Sequence, residues 1–348
     1  MKKSRYLRRS PLLCAAALFA LLYGCSGFSD TGGAVSSEKQ STELFAMDTV
    51  MDLTVYGDPS VLKSAEDIIN GLEKKLSVTD ESSEIYRLNR DKQADMSADT
   101  LELIGFAKDM CERTDGALDI TVYPIVKAWG FTTGKYRIPP AAELQSLLKT
   151  VDHHKLKING STVTLPDDSM VDLGSVAKGY TGDRLIEHFR ANGITSAIVS
   201  LGGNVQTLGT KPDGSPWRVG IADPFGGEYA GTLNVQNKCV ITSGSYQRFF
   251  EENGVRYHHI IDPSTGAPAA GGLVSVTVVG DRGVLCDALS TALFVMGKDK
   301  AFDQCSSNSD FDALFIDEDG RIYITAGIAD DFTPSGSYKN AEITVIGR

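Results

Sequence analysis

Asp287 and Thr291 stand four residues apart in Asp287-Ala288-Leu289-Ser290-Thr291, within a run of helical character. On a helix that spacing puts a carboxylate and a hydroxyl on one face. Two hard oxygen donors suit Mg²⁺, which keeps few protein ligands and fills its octahedron with water and phosphate oxygens. The spacing alone also fits Asp287 as a residue serving the helix dipole, with Thr291 half buried. A second stretch, Met170 to Tyr180 (MVDLGSVAKGY), runs from an apolar pair through Asp172 and a Gly174-Ser175 turn into a helix carrying Lys178. Unpaired N–H groups and the macrodipole at such a helix start favour an anion, although many similar turns only begin a helix. Neither Gly-x-x-x-x-Gly-Lys-Ser/Thr nor Gly-x-Gly-x-x-Gly is present. A third stretch, Tyr257 to Gly266 (YHHIIDPSTG), reads as a strand with His259 and Ile261 on one face and His258 on the other. A histidine at a strand end suits general-base work near neutral pH, or a purely structural hydrogen bond. His153-His154 follows a polar helix end and reads as surface. Leu201-Gly202-Gly203-Asn204 and Thr242 to Tyr246 permit close backbone approach to a ligand, or simply break strands. Ser243 lacks the Gly-x-Ser-x-Gly elbow of a serine hydrolase.

These groups need a scaffold, and its periodicities are readable. Phe45 to Tyr56 is β-branched and aromatic, ending at the Gly57-Asp58-Pro59 turn. Ser60 to Leu76 carries a helical stripe of Ala65, Ile68, Ile69, Leu72 and Leu76. Asp99 to Glu112 predicts a second helix, and Pro139-Pro140 opens a third through Leu148. Lys155 to Ile158 and Thr162 to Leu165 flank Asn159-Gly160, a hairpin signal. A helix follows from Ser175 to Ala191. Strands are then expected at Ala197 to Leu201, Val205 to Leu208, Trp217 to Ile221, Thr232 to Val235, Cys239 to Thr242, Gln247 to Glu251, Tyr257 to Ile261 and Leu273 to Val279. Val284 to Met296 predicts a helix ending at Gly297, before paired strands at Phe311 to Ile316 and Ile322 to Thr325. Helices and strands do not alternate one for one. The fold class is therefore α+β, with largely antiparallel sheets flanked by helices.

Composition is that of an ordinary globular protein: 42% hydrophobic and 23% charged over 348 residues. The formal charge is −11, and Lys2, Lys3, Arg5, Arg8 and Arg9 leave the remainder more acidic still. Such a body repels phosphate backbones, which excludes non-specific nucleic-acid binding. The basic start leads into an apolar run from Leu12 to Tyr23, short of the roughly 20 residues that span a bilayer. Leu22-Tyr23-Gly24-Cys25 looks like a bacterial lipobox; an ordinary secretory signal with an incidental cysteine is the other reading. The expected organisation is a lipoprotein signal peptide (1–25), a flexible Gly/Ser-rich tether (26–44) and one domain (45–348). That predicts an exported protein, held by acyl chains on Cys25 to a bacterial cell membrane and facing the periplasm or exterior. Cys111, Cys239, Cys286 and Cys305 fit no zinc ribbon and read as buried small residues, with a disulfide permitted by export.

Nine segments in order carry a resemblance. They are Ala46-Met47-Asp48-Thr49, Ser83 to Asn89 (SEIYRLN), Thr114 to Thr121 (TDGALDIT), Asp172 to Tyr180, Leu201 to Asn204, Val219 to Pro224, Thr242 to Tyr246, His259 to Gly266 and Asp287 to Thr291. With them the chain resembles the ApbE family, FAD:protein FMN transferases, from about Phe45 to about Gly327. The resemblance implies FAD in a central cleft with Mg²⁺ on its diphosphate. It implies Asp287 and Thr291 as magnesium ligands, joined by an oxygen of the Gly174-Ser175 turn, with Ser175 taken as the ligand residue. Nucleotide contacts are implied for Met47, Tyr86, Ala117, Leu118, Asp119, Asp172, Lys178 and Ile261. Some members carry a second aspartate where this chain has Ser290, and an acidic residue where it has Lys178. The implied reaction moves FMN to a threonine or serine hydroxyl of an exported acceptor bearing a Ser/Thr-Gly-Ala-Thr-type motif, in redox complexes of the Nqr or Rnf type. His259 is the expected catalytic base. A Mg²⁺-dependent FAD diphosphatase and a non-catalytic flavin-binding lipoprotein are the alternatives.

Overall fold

In the computed structural model, which describes residues 38–347, the centre is a nine-stranded sheet. Its strands in spatial order are Lys39–Ala46, Thr49–Tyr56, Ala197–Leu201, Asn204–Leu208, Cys239–Gly244, Leu273–Gly280, Asp312–Asp317, Ile322–Thr325 and Ile343–Ile346. Every neighbouring pair is antiparallel except the last, which is parallel. The α+β class with largely antiparallel sheets is thus the observed one.

Among the described residues eight α-helices accompany the strands: α1 (Ser60–Leu76), α2 (Glu84–Asp91), α3 (Ala98–Arg113), α4 (Tyr123–Trp129), α5 (Ala141–Leu147), α6 (Ala177–Ala191), α7 (Gly283–Ser307) and α8 (Ala326–Ala329). The unbroken apolar run of Leu273–Gly280 reflects burial on both faces. Val276 and Val278 pack with Leu285, Leu289 and Leu293 of α7. Val279 faces the other way, onto a three-stranded sheet through Val219 and Leu233. A separate apolar cluster joins Ile69 of α1 and Phe189 of α6 to Met51 and Val199.

Several boundaries differ from expectation. The Phe45 to Tyr56 stretch holds the end of one strand, the Met47-Asp48 turn and a whole second strand, and the first strand begins at Lys39. Residues 39–44 are therefore sheet edge rather than tether, because pairing along Thr49–Tyr56 satisfies the inward-facing half of their backbone groups. The hairpin corner puts Met47 and Asp48 at φ 49° and 60°, a left-handed pair usually given to Asn-Gly. α2 was not expected. α7 breaks at Gly297 (φ 74°), as the glycine predicts, but helix resumes to Ser307. Gly271 packs directly against that break, leaving no room for a side chain. All four cysteines of the domain are buried free thiols. Among the described residues no helix is long and apolar enough to cross a membrane. The expected signal peptide, Cys25 and tether residues up to 37 lie outside the described residues.

Candidate active site

α6 and α7 lie side by side, and their contact builds the first half of the site. Asp287, one turn into α7, is buried. Its Oδ2 accepts the Gly179 N–H at 2.8 Å, and its Oδ1 accepts from Asn204 Nδ2 at 2.9 Å. The approach tolerates no side chain at Gly179, where a Cβ would stand 2.3 Å from the Gly283 carbonyl oxygen and 2.7 Å from Asp287 Cβ. Gln206 Nε2 donates to the Gly179 carbonyl at 2.8 Å, and the Asp183 carboxylate accepts the Gly283 and Val284 N–H groups that open α7. Gly179→Val is accordingly expected to cost about 3 kcal/mol, the upper end for overpacking, read as a lower urea midpoint. An unchanged midpoint would mean the helices separate without penalty.

Burial pushes the Asp287 carboxyl above the usual carboxylate range, while the Lys178 charge, the Gly179 N–H and the Asn204 amide pull it back. Thr291 follows one turn along α7, half-buried, with Oγ1 3.2 Å from Ser243 Oγ. The Ser243 hydroxyl also lies 2.8 Å from Ser290 Oγ, and Ser290 donates to the Asp287 carbonyl at 2.9 Å. Ser290 is thus spent inside the protein. Ser243 stands in the central strand Cys239–Gly244, so the expected Thr242 to Tyr246 loop is for its first half a strand.

The second half comes from the chain before α6. Asn89 of α2 grips Val171 through both of its backbone groups, at 2.7 and 2.8 Å, and the Asp172 N–H donates to Ile120 O at 2.9 Å. The Asp172 carboxylate accepts the Gly174 N–H at 2.8 Å and closes the turn. Burial pushes this carboxyl up as well, against the Gly174 N–H, Arg248 and Lys178. Buried Tyr123 is raised by its burial and by the Asp172 charge, with Tyr86 also near it. Lys178 therefore acts on both carboxylates, yet among the described residues its ammonium forms no ion pair. Ser175 sits in the turn and makes no hydrogen bond to Asp287 or Thr291.

His259 follows directly on a two-stranded hairpin, Phe249–Glu252 with Val255–His258, and lies near enough to Lys178 to feel its charge. The expected strand to Ile261 ends at His258: beyond it only the His259 N–H still pairs back toward the hairpin, with Arg248 O at 3.0 Å, while Ile260 and Ile261 turn to pair with Ala269 and Pro268. His259 Nδ1 lies 3.2 Å from the same carbonyl, which can only accept. Nδ1 therefore carries the proton and Nε2 presents its lone pair. Burial pushes His259 down to about 3, helped by the Arg248 and Lys178 charges. His258 is structural: it is buried, with Nε2 3.0 Å from Ala269 O. Ile261 is buried and bridges to Pro268.

The remaining expected residues are less uniform. Met47 reaches α6, its N–H donating to Glu73 Oε1 at 2.8 Å and its sulfur accepting from Thr181 at 3.8 Å. Tyr86 is half-buried at the start of α2, where Ser83 caps its N–H. Ala117, Leu118 and Asp119 lie just ahead of Ile120, but the Asp119 carboxylate is committed inward to Thr121 and to His153 Nδ1 at 2.8 Å. Backbone is what that segment has left to offer a ligand. His153, expected at the surface, is buried because it pairs with Asp119. Sequence reasoning missed Asn204, Asn89, Tyr123 and Arg248. Asn204 and Asn89 stood in stretches already singled out; Tyr123 and Arg248 did not.

The profile of the ApbE family matches residues 47–315. A FAD:protein FMN transferase of Treponema pallidum is 31% identical, over 87% of this chain and 91% of that protein. One from Klebsiella pneumoniae is 31% identical, over 82% and 91% respectively. Among solved structures, the ApbE protein of Thermotoga maritima is similar at a TM-score of 0.78 and 33% identity, covering 82% of this chain and 96% of that one. Apo flavinyl transferase ApbE of Pseudomonas stutzeri is similar at a TM-score of 0.75 and 28% identity, over 82% and 93%. With matches over most of its length in both sequence and fold, the chain belongs to the ApbE family.

Proposed function

We propose that this protein transfers FMN from FAD to a hydroxyl of a target protein, with Mg²⁺ bound at Asp287 and Thr291. The observation that carries the reading is Lys178: a cation without an ion-pair partner among the described residues, whose charge acts on both buried Asp287 and half-buried Asp172. An anionic diphosphate with its metal completes that charge pattern, and the oxygen donors of Asp287 and Thr291 have the hardness magnesium prefers. When bound, the metal neutralises charge on the phosphates and so stabilises the transition state. The acceptor hydroxyl forms a new P–O bond to the FMN-side phosphorus, the diphosphate P–O bond breaks, and AMP leaves. Nε2 of His259 takes the hydroxyl proton, while Asp172 and Lys178 hold the nucleotide in line.

The target is read as an exported protein with a Ser/Thr-Gly-Ala-Thr-type motif, of Nqr- or Rnf-type complexes. The enzyme itself is read as anchored to the membrane by lipid on Cys25. Incubating the protein with FAD and Mg²⁺, with and without such an acceptor, tests the activity. A mass gain of FMN on the acceptor supports it; AMP release independent of acceptor indicates a diphosphatase, and neither product indicates a carrier. The low pKa of His259 adds a pH prediction. Its conjugate acid forms only as pH falls toward about 3, so His259 contributes no fall in kcat/KM near pH 6.5. An inflection there that disappears in His259→Gln would contradict this.

A further inference from the structure

On the far side of the Ala117-Leu118-Asp119 segment lies a donor set that the proposed reaction does not use. Cys111 Sγ, an Asp119 carboxylate oxygen and a His153 ring nitrogen lie within 4.8 Å of one another, and all three residues are buried. Cys111 belongs to the last turn of α3, and His153 opens the short 3₁₀ turn His153–Lys155. His153 is 6% exposed, and its Nε2 has no hydrogen-bond partner. An unpaired ring nitrogen in such a place is costly unless something else binds there. A cavity of about 430 Å³ adjoins the cluster, lined by Cys111, Glu112, Asp115, Gly116, His153 and His154. Glu112 and Asp115 are exposed at it and give it a negative mouth.

We propose that Cys111, Asp119 and His153 form a binding site for a zinc-class divalent cation. Sulfur, imidazole and carboxylate donors together are softer than the Asp287–Thr291 pair, and they select zinc over magnesium. Tetrahedral zinc places such donors about 3.3–3.7 Å apart, so ligation asks for shifts of about 1 Å or less per side chain. The Cys111 thiol gives up its proton to solvent as the Zn–S bond forms. Water from the cavity takes the fourth position. Complete burial of Cys111 argues against the rival role of a thiol nucleophile, which must reach a substrate. The ion would tie the end of α3 to the 153–155 turn, behind the segment read as nucleotide-contacting. The site stands whether or not the flavin reading does.

Cobalt(II) is the probe. Added to the untagged, EDTA-treated full chain, it should bind with one equivalent showing a thiolate-to-cobalt charge-transfer band and strong tetrahedral visible bands. Zinc should displace it. Cys111→Ser should abolish the charge-transfer band, His153→Gln should weaken binding at least tenfold, and Cys305→Ser should leave both unchanged. Absence of the band in the natural chain overturns the proposal, and that measurement requires no variant to fold. A band that persists in Cys111→Ser overturns it equally, since another cysteine is then the ligand.

Discussion

Asp287→Ala is expected to remain folded while FMN transfer falls by about 10²–10³-fold, the scale of losing one preorganised electrostatic element. The variant leaves the Gly179 N–H and the Asn204 amide unpaired, a cost of about 1–3 kcal/mol each at most. Against that, it removes a carboxylate whose ionisation burial already opposes. Asparagine isolates the charge: its Oδ1 can accept the Gly179 N–H, and its NH₂ is satisfied once the Asn204 amide turns over to present Oδ1. Thermal unfolding alongside the transfer assay separates the two effects. Full transfer by Asp287→Ala in the presence of EDTA would remove magnesium from the mechanism.

His259→Asn is expected to lower the transfer rate by about 10²–10⁴-fold, the range for removing a general base. The asparagine amide can still donate to the Arg248 carbonyl, so the hairpin end keeps its hydrogen bond. What disappears is the Nε2 lone pair. The loss should therefore fall on kcat, with KM for FAD little changed. A single-turnover measurement at neutral pH checks this, and an unchanged rate would leave His259 as a structural residue.

How much of this was legible depends on what signal each element carried. The strong stripe from Ala65 to Leu76 marks α1 at Ser60–Leu76, and Gly297 marks the break in α7. The α2 helix pairs Ile85 with Leu88 at helical spacing, but at eight mostly polar residues it is too short for that pair to stand out, although its Asn89 positions Val171. The Phe45 to Tyr56 stretch hides its turn because Met47-Asp48 lacks the Asn-Gly signature. At the site, the family resemblance rather than spacing picked out Met47, Tyr86 and the 117–119 segment. Spacing alone paired Asp287 with Thr291. Nothing local could reveal that Asn204, on a strand, would meet Asp287 on α7, or that Asp119 would turn inward to His153. Those contacts exist only once the sheet and helices are assembled.

The absence of side chains where Gly179 meets Gly283 has a consequence for motion. Two helices in backbone contact cannot slide or tilt without breaking the bonds from Gly179 and Asn204 to Asp287, so this wall moves as one body. His259 hangs instead from a hairpin outside the nine-stranded sheet, and a lone two-stranded hairpin is marginal on its own. If FMN transfer runs as proposed, accommodation of the acceptor and release of AMP fall to the His259 side, while the Asp287 side keeps its geometry.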